Sequence, residues 1–558
     1  MSTATRTLYR HGAVYSPADP YAQALLVEDG TVAWVGGDEA ADSLAGGLGA
    51  DDRVVDLAGA LVTPAFVDGH VHCFDTGLLA TGVDLTGVRS VGALLDAVAA
   101  FAAAHPGERV LGHGWDETLL AEGRPPTSEE LERAAPGALV YLSRVDVHSA
   151  LVSRRLVDEA GAAGLPGHDG SARVERDAHH LTRSHARDVP AGVRAAAHEA
   201  ALRAALAAGI GTLHEMSGPF IGGPDDLRVL VGVAAEVGAR VVPYWGEAAT
   251  DADHARALVA GLGLPAGVRL AGLAGDLSAD GSIGSRTAAF REPYADNDPA
   301  HPTHAGHAYL SADVMADHLV ACVGAGVQPG FHVIGDAALD TVLEALDRAA
   351  DRLGGARLAT SRVRLEHVET ADDAQVAALA RHGVVASMQP LFDALWGGDD
   401  SLYARRLGAH RRLNRVGAVA AAGIPLAFGS DSPVTPLDPW GTVAAAAFHH
   451  DEAERISARA AFAASTRGAH RAAFDDRHLA DAAGVLVPGA PADLAVWEAG
   501  ELVVQAPDDR IQAWSTDPRS RVPALPDLGP GSLRPRCLRT VVAGRTRHDT
   551  GELIEAGA

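Results

Sequence analysis

Thr63-Pro-Ala-Phe-Val-Asp-Gly-His70-Val-His72 sets an apolar strand directly in front of two histidines at alternate positions. In extended backbone, residues two apart point the same way, so both imidazoles can reach one cation where the strand ends. An isolated HxH pair is a weak signal, because packing and surface histidines are commoner than ligands. Here the pattern recurs. Three later strand-length segments end in further ligand types: His332 in Phe331-His-Val-Ile-Gly-Asp336, His367 in Arg364-Leu-Glu-His-Val368, and Asp431 in Phe428-Gly-Ser-Asp-Ser-Pro-Val434. Nitrogen and oxygen ligands of this kind suit Zn²⁺ and leave a coordination position for water.

Around these segments, apolar runs of strand length alternate with alanine-rich helical stretches, the pattern of repeated βα units and a parallel barrel. Eight strands are predicted at Ala65 to His70, Ile210 to His214, Arg240 to Tyr244, Arg269 to Leu277, Gln328 to Val333, Val363 to His367, Val384 to Met388 and Pro425 to Ser430. Most carry a polar residue at or just past the carboxyl end, where a barrel places its chemistry. The fold class is therefore α/β, a distorted TIM (β/α)8 barrel over 64–483. Residues from about 79 to 195 break the barrel rhythm and are assigned to an α/β insertion after the first strand. Short alternating strands at Ala24 to Gly30, Thr31 to Gly36 and Arg53 to Leu57, read as antiparallel, return in kind at Ala492 to Trp497 and Cys537 to Gly544. They predict a small β-sandwich domain built from 1–63 and 484–558.

The formal charge of −26 disfavours nucleic acid and anionic membrane as partners, since both require clustered cations. No apolar run reaches bilayer length, and Met1 to Pro20 lacks the apolar core of a signal peptide, so the expected location is cytoplasmic. Cys73, Cys322 and Cys537 are widely spaced and fit a reducing compartment, with Cys73 facing away from the paired histidines into packing. A small-molecule substrate is the expected partner, and a homo-oligomer is compatible with the sequence. All 46 basic residues are arginine; the chain has no lysine.

Taken together, these residues resemble the amidohydrolase superfamily, in particular the branch that includes N-substituted formamide deformylase. The resemblance extends to Gly114-Trp-Asp-Glu117, Val145-Asp-Val-His-Ser149, Ala279-Asp-Gly-Ser-Ile-Gly-Ser-Arg-Thr-Ala288 and Pro488-Gly-Ala-Pro-Ala-Asp493. It implies a catalytic divalent metal and hydrolysis of a carbon–nitrogen bond other than a peptide bond. Many relatives bridge two metals with a carboxylated lysine, and counting back from Asp280-Gly-Ser282 places Asp276 at that position. An aspartate side chain falls short of that reach by roughly 5 Å at about 1.25 Å per bond. One ion rather than two is therefore expected, with zinc as the metal.

By resemblance to single-metal relatives, His70, His72, His332 and Asp431 are the ligands, and His367 polarises the water or the substrate oxygen. A cation there lowers the pKa of water to about 7, and Asp431 shuttles the proton to the leaving nitrogen. Trp115, Asp116, His148 and Arg286 are candidate substrate-binding residues, against packing, capping and salt-bridge readings. His214 and Glu215 are read as core or supporting residues, and the pairs His179-His180 and His449-His450 as solvated surface. Two other functions fit the same sequence: a deaminase or cyclic-amide hydrolase, and a non-catalytic scaffold.

Overall fold

The computed structural model describes residues 6–409, 411–478, 482–505, 514–515 and 522–557. The portions of the expected terminal segments at 1–5, 506–513, 516–521 and 558 lie outside the described residues. Eight parallel strands follow one another in chain order around a nearly closed barrel: β1 (Phe66–Val71), β2 (Ile210–Ser217), β3 (Arg240–Trp245), β4 (Gly272–Leu273), β5 (Gln328–Val333), β6 (Arg364–His367), β7 (Val385–Met388) and β8 (Leu426–Phe428). The seam between β8 and β1 is closed just past the end of β8, where Asp431 N donates to His70 O at 2.7 Å and His72 N donates to Ser432 O at 2.9 Å.

The alternation of side chains along each strand explains the barrel's two faces. Outward residues such as Phe66, Phe331 and Leu365 pack under the surrounding helices. The helix Asp336–Leu353 shows why: its buried Leu339, Val342, Leu346 and Ala349 recur at three- and four-residue intervals and make one apolar stripe. The inward face is polar. Arg364 is fully buried there and donates from Nε to Glu366 Oε1 at 2.5 Å, from Nη2 to Ser387 Oγ at 2.9 Å and from Nη1 to Tyr244 OH at 3.1 Å.

Strand β4 is the main departure from expectation. Only Gly272–Leu273 forms ladder pairs, not Arg269 to Leu277. Gly275 takes φ 75°, a left-handed conformation that glycine adopts without penalty, and the chain leaves the ladder there. It then crosses β3's end at Gly246, where an added Cβ would lie 2.8 Å from the Asp276 carbonyl carbon. The absent side chain lets the backbone bearing Asp276 press inward.

The termini form two mixed five-stranded sheets. One runs Ile554–Gly557, Arg53–Asp56, Arg6–Arg10, Ala24–Glu28, Thr31–Gly36; the other runs Ala13–Val14, Leu61–Pro64, Leu494–Glu498, Arg536–Val542, Arg545–Asp549. Leu25 and Val55 of the first share a core with Val62, Leu494 and Val541 of the second. The strand Arg53–Asp56 pairs parallel with Arg6–Arg10, so the expected all-antiparallel pairing does not hold there. Trp497 fastens this unit to the barrel, edge-on to Phe66 at 5.7 Å with Nε1 bonded to Thr63 Oγ1 at 2.9 Å. The insertion carries a third mixed sheet, Val83–Asp84, Val110–Trp115, Val140–Arg144, Ser149–Val152 and Arg173–Glu175. Among the described residues, no helix is long and apolar enough to cross a membrane.

Candidate metal centre and adjoining cavity

Carboxyl ends of β1, β6 and β8, with the segment after β4, converge on one point. His70 Nε2 lies 3.3 Å from Asp431 Oδ1 and 3.6 Å from Asp276 Oδ1. His72 Nε2 lies 3.1 Å from Asp276 Oδ2 and 3.3 Å from Asp431 Oδ1. All four side chains are largely or wholly buried, and His70 Nε2, Asp276 Oδ1 and Asp431 Oδ1 have no hydrogen-bond partner. Unpaired buried polar atoms are costly, and this many in one place marks a site for a ligand that binds them all.

The fit to a divalent cation is supported by the orientation of His70. Its Nδ1 faces Glu366 Oε2 at 3.0 Å, and a carboxylate only accepts, so Nδ1 donates there and Nε2 is the nitrogen turned to the centre. A carboxylate behind a histidine is the usual support for a metal ligand. His367 is set the same way by Gln389, with 2.8 Å between Nδ1 and Oε1. Imidazole nitrogens with carboxylate oxygens make a donor set suited to zinc and similar ions. Two overlapping groups of ligand atoms result among the described residues: His70, His72 and Asp431, and His70, Asp276 and His367.

His332 stands one step out. Its Nδ1 is 3.7 Å from Asp276 Oδ1, its Nε2 is 3.2 Å from Gly281 O, and its ring lies 4.4 Å from that of His367. The expected foursome is thus three close residues plus a neighbour, with Asp276 inside the cluster despite its short side chain. Asp431 and His367 both adopt positive φ, 55° and 72°. Left-handed backbone is uncommon outside glycine and concentrates where function demands a particular side-chain direction.

Electrostatics follow from the crowding. Burial opposes charge on His72, but hydrogen bonds to Asp276 and Asp431 raise its pKa to about 9. Burial likewise opposes charge on Asp276, yet the His70 imidazole brings its carboxyl far below the usual range. On His367 the pull of Asp431 and Asp276 is outweighed: burial, then His332 and His70, lower it to about 3, so it is neutral.

Beside the cluster lies a cavity lined by His332, His367, Glu369 and Asp431, by Arg144, Asp146 and His148 from the insertion, and by Phe392, Trp396 and Tyr403. Of the four expected substrate contacts, only His148 lines it, with its ring 5.3 Å from that of His332. Trp115 is buried in the insertion core with Nε1 bonded to Leu142 O at 2.8 Å, and Asp116 holds Arg144 at 2.9 Å. Arg286 is paired with Asp296 at 2.8 Å, away from this cavity. His179 and His449 are buried rather than solvated, His179 against Tyr141 OH at 2.8 Å and His449 against Asp393 at 3.2 Å. His450 is exposed, as expected. Cys73 is buried in the main core, and its amide donates to Glu215 Oε2 at 2.9 Å, which makes Glu215 a support behind the paired histidines.

Sequence reading missed Glu366, Arg364, Asp280, Arg144 and Asp146. Asp280 accepts from the amides of Ala289, Ile334 and Gly335 at 2.7 to 2.9 Å, tying the loop after β4 to the end of β5. A signal for two of the others was present: Arg364 and Glu366 alternate within a predicted barrel strand, and charges at inward positions of a buried strand must pair.

A nearly closed eight-stranded parallel barrel with histidines and aspartates at its carboxyl mouth defines the class of barrel hydrolases. The sequence model of the amidohydrolase family matches residues 53–548, and the chain belongs to that family. It is 27% identical over 509 residues to the protein LONG AFTER FAR-RED 3 of Arabidopsis thaliana, covering 86% of this chain and 84% of that one. It is 24% identical over 451 residues to the N-substituted formamide deformylase of Arthrobacter pascens, covering 76% and 80%. Among solved structures, an uncharacterized metal-dependent hydrolase from Pyrococcus furiosus superimposes with a TM-score of 0.67 at 26% identity, over 88% of this chain and 98% of that one.

Proposed function

We propose that the protein is a metal-dependent amidohydrolase that cleaves an amide- or formamide-like carbon–nitrogen bond in a small molecule, using one divalent ion, with zinc as the best match to the donors. The observation that carries this reading is the convergence of the partnerless buried atoms His70 Nε2, Asp276 Oδ1 and Asp431 Oδ1. The names of the Pyrococcus and Arthrobacter relatives agree with it. His70, His72 and Asp431 would hold the ion, with Asp276 beside them and His332 one step out. When bound, the ion acidifies water and stabilises negative charge on an oxygen.

The remaining chemistry belongs to the chain. Asp431, ionised and at the cavity wall, accepts the proton of the attacking water and returns it to the leaving nitrogen. His367 is neutral with its proton on Nδ1, so its Nε2 is an acceptor that orients the attacking water. Phe392 and Trp396 line the cavity and help exclude bulk water from it. A scaffold would have no use for so many unpaired ligand atoms in its interior.

The test is a hydrolysis screen over N-formyl, N-acyl and cyclic amides with metal content measured on the same preparation, alongside Asp431→Asn. Turnover that requires bound metal and vanishes in Asp431→Asn is the expected result. Full activity of that variant removes Asp431 from the mechanism, and ammonia released from a ring amine instead of a carboxylic acid would identify a deaminase.

A further inference from the structure

The cavity has a second polar end that hydrolysis at the cluster does not use. Arg144 and Asp146 reach it from the insertion, at the end of the strand Val140–Arg144 and in the turn that follows. Arg144 is wholly buried and spends Nε on Glu117 Oε2 at 2.8 Å and Nη2 on Asp116 Oδ1 at 2.9 Å. Its Nη1 is ion-paired with Asp146 Oδ2 at 3.2 Å but makes no hydrogen bond. Asp146, 9% exposed, accepts from Ser282 Oγ at 2.7 Å and Ser285 Oγ at 2.8 Å, both on Oδ2. Its Oδ1 has no partner. Gly284 allows this arrangement, since a Cβ there would stand 2.7 Å from both Arg144 Nη1 and Asp146 Oδ2.

Two buried charged side chains are therefore clamped at every polar atom except one each. The atoms without a hydrogen bond are Arg144 Nη1, with its two N–H groups, and the carboxylate oxygen Asp146 Oδ1, carried by neighbouring side chains that line one cavity. Leaving both without a hydrogen bond is costly, so the arrangement is matched to a ligand that supplies an acceptor beside a donor. A carboxylate supplies two acceptors and is repelled by Asp146. An ammonium supplies only donors and is repelled by Arg144. A carbonyl oxygen next to an N–H satisfies both atoms at once.

We propose that the substrate carries, besides the bond that is cleaved, a carboxamide or ureide edge that pairs its carbonyl with Arg144 and its N–H with Asp146, and an apolar group that lies against Phe392 and Trp396. The hydrolase reading is needed only to say which bond is cleaved; recognition of this edge stands on the wall itself.

The test is calorimetric binding of four probes to the purified, metal-containing protein: 3-phenylpropanamide, its N,N-dimethyl amide, 3-phenylpropanoate and 3-phenylpropylamine. The expected result is that the primary amide binds roughly 10- to 100-fold more tightly than the other three, the range for a hydrogen bond to a buried charge. In Asp146→Asn that preference falls below about threefold, while the metal content of the folded protein stays at the wild-type value. Should Asp146→Asn prove unstable, Ser285→Ala, which removes one of the hydroxyls aiming Asp146, gives a smaller loss in the same direction. Equal binding of amide and dimethyl amide, absence of amide binding, tighter binding of the acid or amine, or an unchanged preference in both variants overturns the proposal. Binding requires no turnover, so a protein that hydrolyses none of the screened amides can still recognise the edge, and one that hydrolyses them without this preference refutes the recognition alone.

Discussion

Replacing Glu366 by Gln tests the link between the barrel interior and the metal centre. Glu366 is wholly buried between Arg364, 2.5 Å from its Oε1, and His70, 3.0 Å from its Oε2. Burial opposes its ionisation, but Arg364 first and His70 second bring its pKa from 4.5 to about 2. A depression of that size corresponds to about 3 kcal/mol of native-state stability. Because the folded pKa is the lower one, this contribution is present above pH 4.5 and is lost as the pH falls towards 2. The amide in Glu366→Gln cannot neutralise Arg364, so the cost at neutral pH is about 3 to 5 kcal/mol, that of a buried charge left without its partner. The amide can also present N–H to His70 Nδ1, which favours the wrong tautomer and turns Nε2 into a donor. Metal affinity should then fall roughly 10- to 100-fold, the usual result of losing a carboxylate behind a ligating histidine. Denaturant unfolding at pH 7 reads the first effect, and chelator competition on the folded fraction reads the second. A variant with wild-type values of both would refute the coupling.

Three further outcomes are expected. In the metal-free protein the carboxylates of Asp276 and Asp431 hold a proton on His72 up to about pH 9, so metal uptake at pH 7.5 releases at least one proton and affinity climbs with pH; titration calorimetry in buffers of different ionisation enthalpy checks this, and no proton release would contradict it. Asp276→Asn weakens zinc binding by roughly tenfold or more while the fold is retained, measured by chelator competition; unaltered affinity would leave Asp276 outside the centre. Burial opposes ionisation of Glu117, yet Arg144 brings its pKa from 4.5 to about 2, so it stabilises the native state by about 3 kcal/mol above pH 4.5 and loses this as the pH falls towards 2. Glu117→Gln should flatten acid unfolding between those two values, and an unchanged acid profile would refute the assignment.

The eight strand positions were legible because apolar runs and helical stretches alternate at the barrel period, and His70, His72 and Asp431 were legible because ligand types stood at the ends of those runs. These are local properties of the chain. Strand β4 was misjudged because hydropathy does not register the left-handed turn at Gly275 or the approach of another strand at Gly246. The same blindness left the role of Asp276 open: its reach was counted from side-chain length, and the close approach of its backbone to Gly246 does not show in the sequence.

What the sequence alone determined is the alternation that makes a parallel barrel and the set of residue types able to bind a metal. Which of those side chains meet was decided only by the tertiary structure. It brought Asp276 to His72, placed Glu366 behind His70 across 296 positions of chain, and turned Trp115, Asp116 and Arg286 away from the cavity that Arg144 and Asp146 line instead. The physical reason is that periodicity is set within a few residues of backbone. The pairing of buried charges depends on distances between strands far apart in the chain, and only their packing fixes those distances.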